Sequence, residues 1–124
     1  MMDHVGIQVD DLARSRRFYD AVLQPLGYRV LMDVGPALGY GAVDHPVFWI
    51  GRATDPIPNR QSHLAFSAPD REAVTAFHAA ALSQGLESLH EPRLWPEYHP
   101  GYYGAFVRDT EGNNIEAVCH TGDS

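Results

Sequence analysis

Asp3-His4-Val5-Gly6-Ile7-Gln8-Val9 and, further along the chain, His63-Leu64-Ala65-Phe66-Ser67 are one strand pattern written twice. Laying His4 on His63 pairs Val5 with Leu64, Ile7 with Phe66 and Asp11 with Asp70. The match continues through Phe18 on Phe77 and Leu23 on Leu82, then slips by one residue before Gly27 and Gly85. Each copy runs from a short strand, through an Asp, into an amphipathic helix stopped by Gly. Duplication of one supersecondary unit explains a pattern kept better than the letters.

Working outward, the first copy reads as strand, helix and three strands. Val5, Ile7 and Val9 alternate with His4, Gly6 and Gln8, the period of a strand with one apolar face. Asp10-Asp11 supplies a capping carboxylate for the helix of Ser15, Phe18, Tyr19 and Val22, which Pro25 and Gly27 end. Strands are expected over Tyr28 to Asp33, Leu38 to Val43 and Val47 to Gly51. Module one therefore occupies about residues 1–52. Ala53 to Gln61, with Pro56 and Pro58, reads as a linker. Module two occupies about residues 62–120. It has a strand at His63 to Ser67, and a helix capped by Asp70 with Val74, Phe77 and Ala81 as its buried stripe. A short strand at Glu87 to His90 and a proline-rich aromatic loop from Pro92 to Pro100 follow. Strands at Tyr102 to Arg108 and Asn114 to Cys119 complete it, joined by the turn Asp109-Thr110-Glu111-Gly112-Asn113. The fold class is α+β: two βαβββ modules in a single domain spanning residues 1–124.

Bulk properties narrow the partners. Sixteen acidic against nine basic residues give a net charge of −7, which argues against nucleic acid and against an anionic membrane surface. No apolar run is long enough for a transmembrane helix, and no basic-then-apolar leader opens the chain. The single cysteine, Cys119, cannot form an internal disulfide, so a reducing, cytoplasmic setting is expected.

The strand faces point to chemistry. If Val5, Ile7, Leu64 and Phe66 pack on the helices, the opposite face presents His4, Gly6, Gln8, His63, Ala65 and Ser67. In the last strand, alternation sends Ile115 and Ala117 one way and Glu116 the other, toward that same open side. Two imidazoles and a carboxylate with positions left open suit a divalent metal ion: Fe, Mn, Ni, Co or Zn. Trp95, Tyr98, His99, Tyr102 and Tyr103 form an aromatic cluster that reads either as a pocket wall or as a packed loop. Arg108 is a candidate for an anionic substrate group or a solvated strand-end arginine. His45 is a turn residue, His78 a surface or packing residue, and His90 and His120 have no evident partner.

These residues resemble the vicinal oxygen chelate superfamily, which includes glyoxalase I, fosfomycin-resistance thiol transferases, bleomycin-resistance proteins and extradiol dioxygenases. The resemblance spans nearly the whole chain. It is carried by Asp3 to Val9 leading into Ser15-Arg16-Arg17-Phe18-Tyr19, and by Phe106-Val107-Arg108-Asp109-Thr110-Glu111-Gly112-Asn113-Asn114-Ile115-Glu116. It implies paired βαβββ modules forming an incomplete barrel around a cavity, with His4, His63 and Glu116 matching metal ligands. The family's fourth position falls on Val47-Phe48-Trp49-Ile50-Gly51, where no carboxylate stands; Trp49 is the expected equivalent and Phe48 the alternative. Lactoylglutathione lyase chemistry then lacks its second carboxylate. The resemblance also implies a homodimer. Two functions compete: a metal-dependent enzyme acting on a small oxygen-chelating substrate, with Gln8, Trp49, Tyr98, His99, Tyr102 and Arg108 around it, and a protein that sequesters an aromatic or cationic small molecule.

Overall fold

The computed structural model describes residues 2–120. Module one consists of β1 (Val5–Val9), α1 (Leu12–Leu23), a 3₁₀ turn (Gln24–Leu26), β2 (Arg29–Asp33), β3 (Ala37–Gly41) and β4 (Phe48–Arg52). Module two repeats the order with β5 (His63–Ser67), α2 (Arg71–Ser83), β6 (Ser88–Leu94), β7 (Tyr103–Arg108) and β8 (Asn114–Cys119). Each module folds into a four-stranded mixed sheet, β1-β4-β3-β2 and β5-β8-β7-β6. In both, the first strand lies parallel to the last, and the remaining pairs are antiparallel. The duplication read from the sequence is thus a duplication of topology. Among the described residues no helix is long and apolar enough to cross a membrane.

Both helices begin where the carboxylates require. Asp11 accepts from the Arg14 amide at 3.0 Å and Asp70 from the Ala73 amide at 2.8 Å, each satisfying an otherwise orphaned N–H. Gly85, at φ 78°, ends the second helix in a conformation that costs a residue with a Cβ about 1 kcal/mol or more. The buried stripes, Ser15, Phe18, Tyr19, Val22 and Leu23 on α1 and Ala73, Val74, Phe77, His78 and Ala81 on α2, join one continuous core with the inner faces of both sheets. Val5, Ile7, Leu64 and Phe66 pack against that core, as their alternation requires.

Contacts across the modules are specific. Phe48 meets Phe66 edge-on at 5.1 Å, and Tyr28 donates to the Ser67 carbonyl at 3.3 Å. Fully buried Tyr19 donates to Asp109 Oδ2 at 2.5 Å, and Ser15 Oγ lies 2.8 Å from Thr110 Oγ1. Asp109 also accepts from the Glu111 amide and from the amide and side chain of Asn113. The β7–β8 turn is therefore both a turn and a plug seated on α1.

Two strands depart from their expected limits by more than one residue at an end. β3 ends at Gly41 rather than Val43, and Val43 is exposed. β6 continues to Leu94, through Pro92, where a loop is expected. It is the sheet's edge, and its register shifts between Ser88 and His90 and again between His90 and Arg93. An edge strand with bulges is the place where a missing proline N–H costs no ladder bond.

Candidate functional site

Glu116 sits in the middle of β8 between Ala65 of β5 and Phe106 of β7. Its neighbours Ile115 and Ala117 face the helices, so alternation turns Glu116 to the other side. It is nevertheless only 2 % exposed. A carboxylate so far out of water requires partners. The Tyr102 hydroxyl donates to Oε2. Burial, and then the carboxylate it faces, push the Tyr102 phenol well above its ordinary range, so it stays a donor. Gly104 leaves the space this needs: a Cβ there would stand 3.3 Å from both Glu116 Oε2 and the Tyr102 ring.

The other oxygen, Oε1, faces His63 Nε2 at 3.1 Å. The opposite ring nitrogen, Nδ1, lies 3.1 Å from the Asn114 carbonyl. A carbonyl oxygen only accepts, so that hydrogen bond assigns the proton to Nδ1. In a neutral His63, Nε2 then stands unprotonated within 3.1 Å of a carboxylate oxygen. Two acceptors at that distance repel unless something positive lies between them, either a second proton on the ring or a metal ion. Ligands at about 2.0–2.2 Å from one ion and near a right angle are separated by about 2.8–3.1 Å. The His63–Glu116 spacing fits that separation. The backbone carbonyl on Nδ1 and the phenol on Oε2 are the outer partners such ligands ordinarily have.

His4 carries the same signature on the other module. Its Nδ1 is 2.7 Å from Asp3 Oδ1, which assigns a proton to Nδ1. Asp3 also lies 3.2 Å from His45 Nε2, and the two imidazoles hold its carboxyl below the usual range. Yet His4 is apart from the other two: among the described residues no three His, Cys, Asp or Glu side chains are grouped so as to hold a metal ion. Within one chain the structure joins His63 to Glu116 and does not group His4 with them.

The remaining candidates divide. Trp49 faces the open side of β4, next to Gly6 of β1, with its indole laid over Gly39, where a Cβ would come within 2.9 Å of the ring. Phe48 points into the core, 1 % exposed. Gln8 accepts from the Thr54 amide at 3.4 Å and lines a cavity of about 570 Å³ beside the linker, with Asp10, Asp55, Ile57, Leu64 and Glu111. Neither His63 nor Glu116 borders that cavity. Tyr98 stacks on Trp95 at 5.7 Å and is 56 % exposed. Trp95 itself is buried, donates to the Gly104 carbonyl at 3.0 Å and carries Arg93 over its face. Arg108 is held by Gln61, by the Gly112 carbonyl and by Glu87, which ties the linker and the β7–β8 turn together. His99 bonds to His120. Asp3, Gly104 and Asn114 receive no site role in the sequence reading: an exposed acid, a glycine and a strand asparagine show their part only when their neighbours are in place.

Comparison with known proteins agrees with this architecture. Residues 1–117 match the model of the family described as the Glyoxalase/Bleomycin resistance protein/Dioxygenase superfamily. A crystal structure of a glyoxalase/bleomycin resistance protein from Albidiferax ferrireducens superposes with a TM-score of 0.83 at 31 % identity, covering 94 % of this chain and 97 % of that one. A putative glyoxalase from Bacillus halodurans does so with a TM-score of 0.73 at 25 % identity, covering 96 % and 95 %. The Bacillus subtilis protein YqjT is 26 % identical over 95 % of this chain and 98 % of its own length.

Proposed function

The chain belongs to the glyoxalase/bleomycin resistance protein/dioxygenase superfamily, and from that premise we propose that it is a metal-dependent enzyme acting on a small oxygen-chelating substrate. His63 and Glu116 hold a divalent ion, and His4 joins them from a second copy of the chain, so that the working unit is a homodimer. The observation that supports this reading is His63 Nε2 facing Glu116 Oε1 at 3.1 Å while Nδ1 of the same ring is turned to the Asn114 carbonyl. His4 supports the dimer: it has the same proton placement and stands apart from both partners within one chain.

A bound Fe, Mn, Ni, Co or Zn ion would supply Lewis acidity toward the chelating oxygens. The chain's own groups restrict the reaction type. The Tyr102 hydroxyl occupies Oε2, so Glu116 serves as a ligand rather than as a proton acceptor. Trp49 stands on β4, where a second carboxylate would be needed as base, and its indole closes that side of the sheet. Chemistry in which the substrate is chelated and polarised therefore suits this chain better than lactoylglutathione-type proton transfer. The test is ion content after saturation with Mn, Fe, Ni or Zn and removal of excess: Glu116→Gln loses one ion per chain relative to the wild type. Equal ion content in the two proteins removes the proposal.

A second reading, sequestration of an aromatic cation, is favoured by Tyr98, 56 % exposed and stacked on Trp95, in a chain of net charge −7. It requires metal-stripped protein to quench its tryptophan fluorescence on adding such a cation. Turnover that disappears with chelator and returns with metal excludes it.

A further inference from the structure

Outside the Glu116 site, the loop between β6 and β7 and the residue after β8 bring two imidazoles together. His99 Nε2 lies 2.9 Å from His120 Nδ1, with the rings stacked at a 5.0 Å centroid distance and 19° between planes. His99 Nδ1 is 2.8 Å from the Pro100 carbonyl, so its proton is assigned there and its Nε2 is a lone pair directed at His120. Both residues are exposed, which leaves room for water. Tyr102 stands edge-on to both rings, at 5.3 Å from each, and backs the pair. Moving the His120 proton from Nδ1 to Nε2 is a tautomer change in a solvated ring, and it turns a second lone pair toward the first.

We propose that His99 and His120 form a second divalent-metal site, separate from Glu116, that takes a Ni(II)- or Cu(II)-type ion with water in its remaining positions. Two imidazole nitrogens at about 2.0–2.1 Å from one ion are about 2.8–3.0 Å apart at a right angle and about 3.4 Å apart at the tetrahedral angle. The observed 2.9 Å matches the right-angle separation, and rotation of the two exposed rings away from their mutual hydrogen bond would turn both lone pairs onto one ion. A right angle is the cis angle of both square-planar and octahedral ions, and imidazole is a ligand both Ni(II) and Cu(II) favour. The chain's net charge of −7 raises the local cation concentration. Occupancy would pin the loop that carries Tyr102, the hydrogen-bond donor to Glu116, to the end of β8.

Ni(II) titration by calorimetry of the full chain, with folding checked by circular dichroism, separates this site from the first. Glu116→Gln protein is expected to bind one Ni(II) per chain, and Glu116→Gln combined with either His120→Ala or His99→Gln to bind none. Cu(II) on the Glu116→Gln protein should show a spin-resonance spectrum split by two nitrogens. Loss of all Ni(II) binding in Glu116→Gln alone overturns the proposal, as does undiminished binding in the double variants. Loss of all binding in His120→Ala alone leaves this site standing and defeats the one at Glu116, so the two assignments fail separately.

Discussion

Replacing Tyr102 by Phe removes one oxygen and leaves the ring in place. That oxygen is the donor to Oε2 of a carboxylate only 2 % exposed. A hydrogen bond to a charged group contributes about 1.5–3 kcal/mol, and its loss leaves Glu116 with the His63 contact on Oε1. For a chain of this length about 1 kcal/mol corresponds to about 4 °C, so the metal-free melting midpoint should fall by about 6–12 °C. In the proposed site the same hydroxyl is an outer partner of a metal ligand, and losing such a partner lowers ion affinity about 10- to 100-fold. The added stabilisation at a fixed ion concentration should shrink by about 1.4–2.7 kcal/mol, RT times the logarithm of that factor. Thermal melts with and without Zn(II) or Mn(II), and calorimetric titration of the same proteins, measure both quantities. A variant with an unchanged midpoint would mean that Tyr102 and Glu116 do not interact in solution. A lowered midpoint with unchanged ion affinity would mean that Glu116 is not a ligand.

Neighbouring geometry sets other expectations. Tyr19→Phe deprives buried Asp109 of the hydroxyl at 2.5 Å and should cost about 1.5–3 kcal/mol in urea unfolding, since the bond is charge-assisted; a change below about 0.5 kcal/mol would remove its role in seating the turn on α1. Gly104→Ala places a Cβ 3.3 Å from Glu116 Oε2 and from Tyr102, so ion affinity should drop severalfold while the circular dichroism spectrum stays native. His78, buried on α2 with Nε2 at 2.7 Å from Ser88 Oγ, has its pKa held below the ordinary 6.5 chiefly by burial. Between the folded and unfolded values the unfolded chain binds more protons, so His78 lowers stability as pH falls from above 6.5 toward its folded value. Comparing melting midpoints of metal-free protein at about pH 7.5 and about pH 5.5 tests this, with the difference expected to narrow in His78→Asn.

What the sequence could and could not carry is visible in individual residues. Strand alternation puts Val5, Ile7, Leu64 and Phe66 on the core, because a one-residue slip would have turned every apolar side chain to water. Asp11 and Asp70 mark both helix starts, since the cap is a local interaction. Alternation also turns Glu116 away from the helices, but it is silent on how deep the residue lies; that depends on Tyr102 and Phe106, which approach from outside β8. Pro92 hides the second half of β6, because an edge strand with two register shifts tolerates what an inner strand does not. The aromatic residues after it look alike in sequence, but Trp95 is buried with its indole N–H satisfied while Tyr98 lies exposed on its face. His120 gains a partner only when a loop 21 residues earlier folds back onto it. The equivalence of His4 and His63 is plain in the repeat, but whether the two meet is a matter of module packing, which no local pattern encodes.

Whether His63 and Glu116 share an ion is tested most directly by X-ray absorption at the metal edge. The sample is Zn(II)- or Mn(II)-loaded protein carrying His120→Ala, so that the His99–His120 pair does not contribute. A shared site predicts one ion per chain with imidazole nitrogen in its inner shell, and loss of both signal and stoichiometry when Glu116→Gln is added. One ion per chain that persists unchanged in the Glu116→Gln, His120→Ala protein would contradict it.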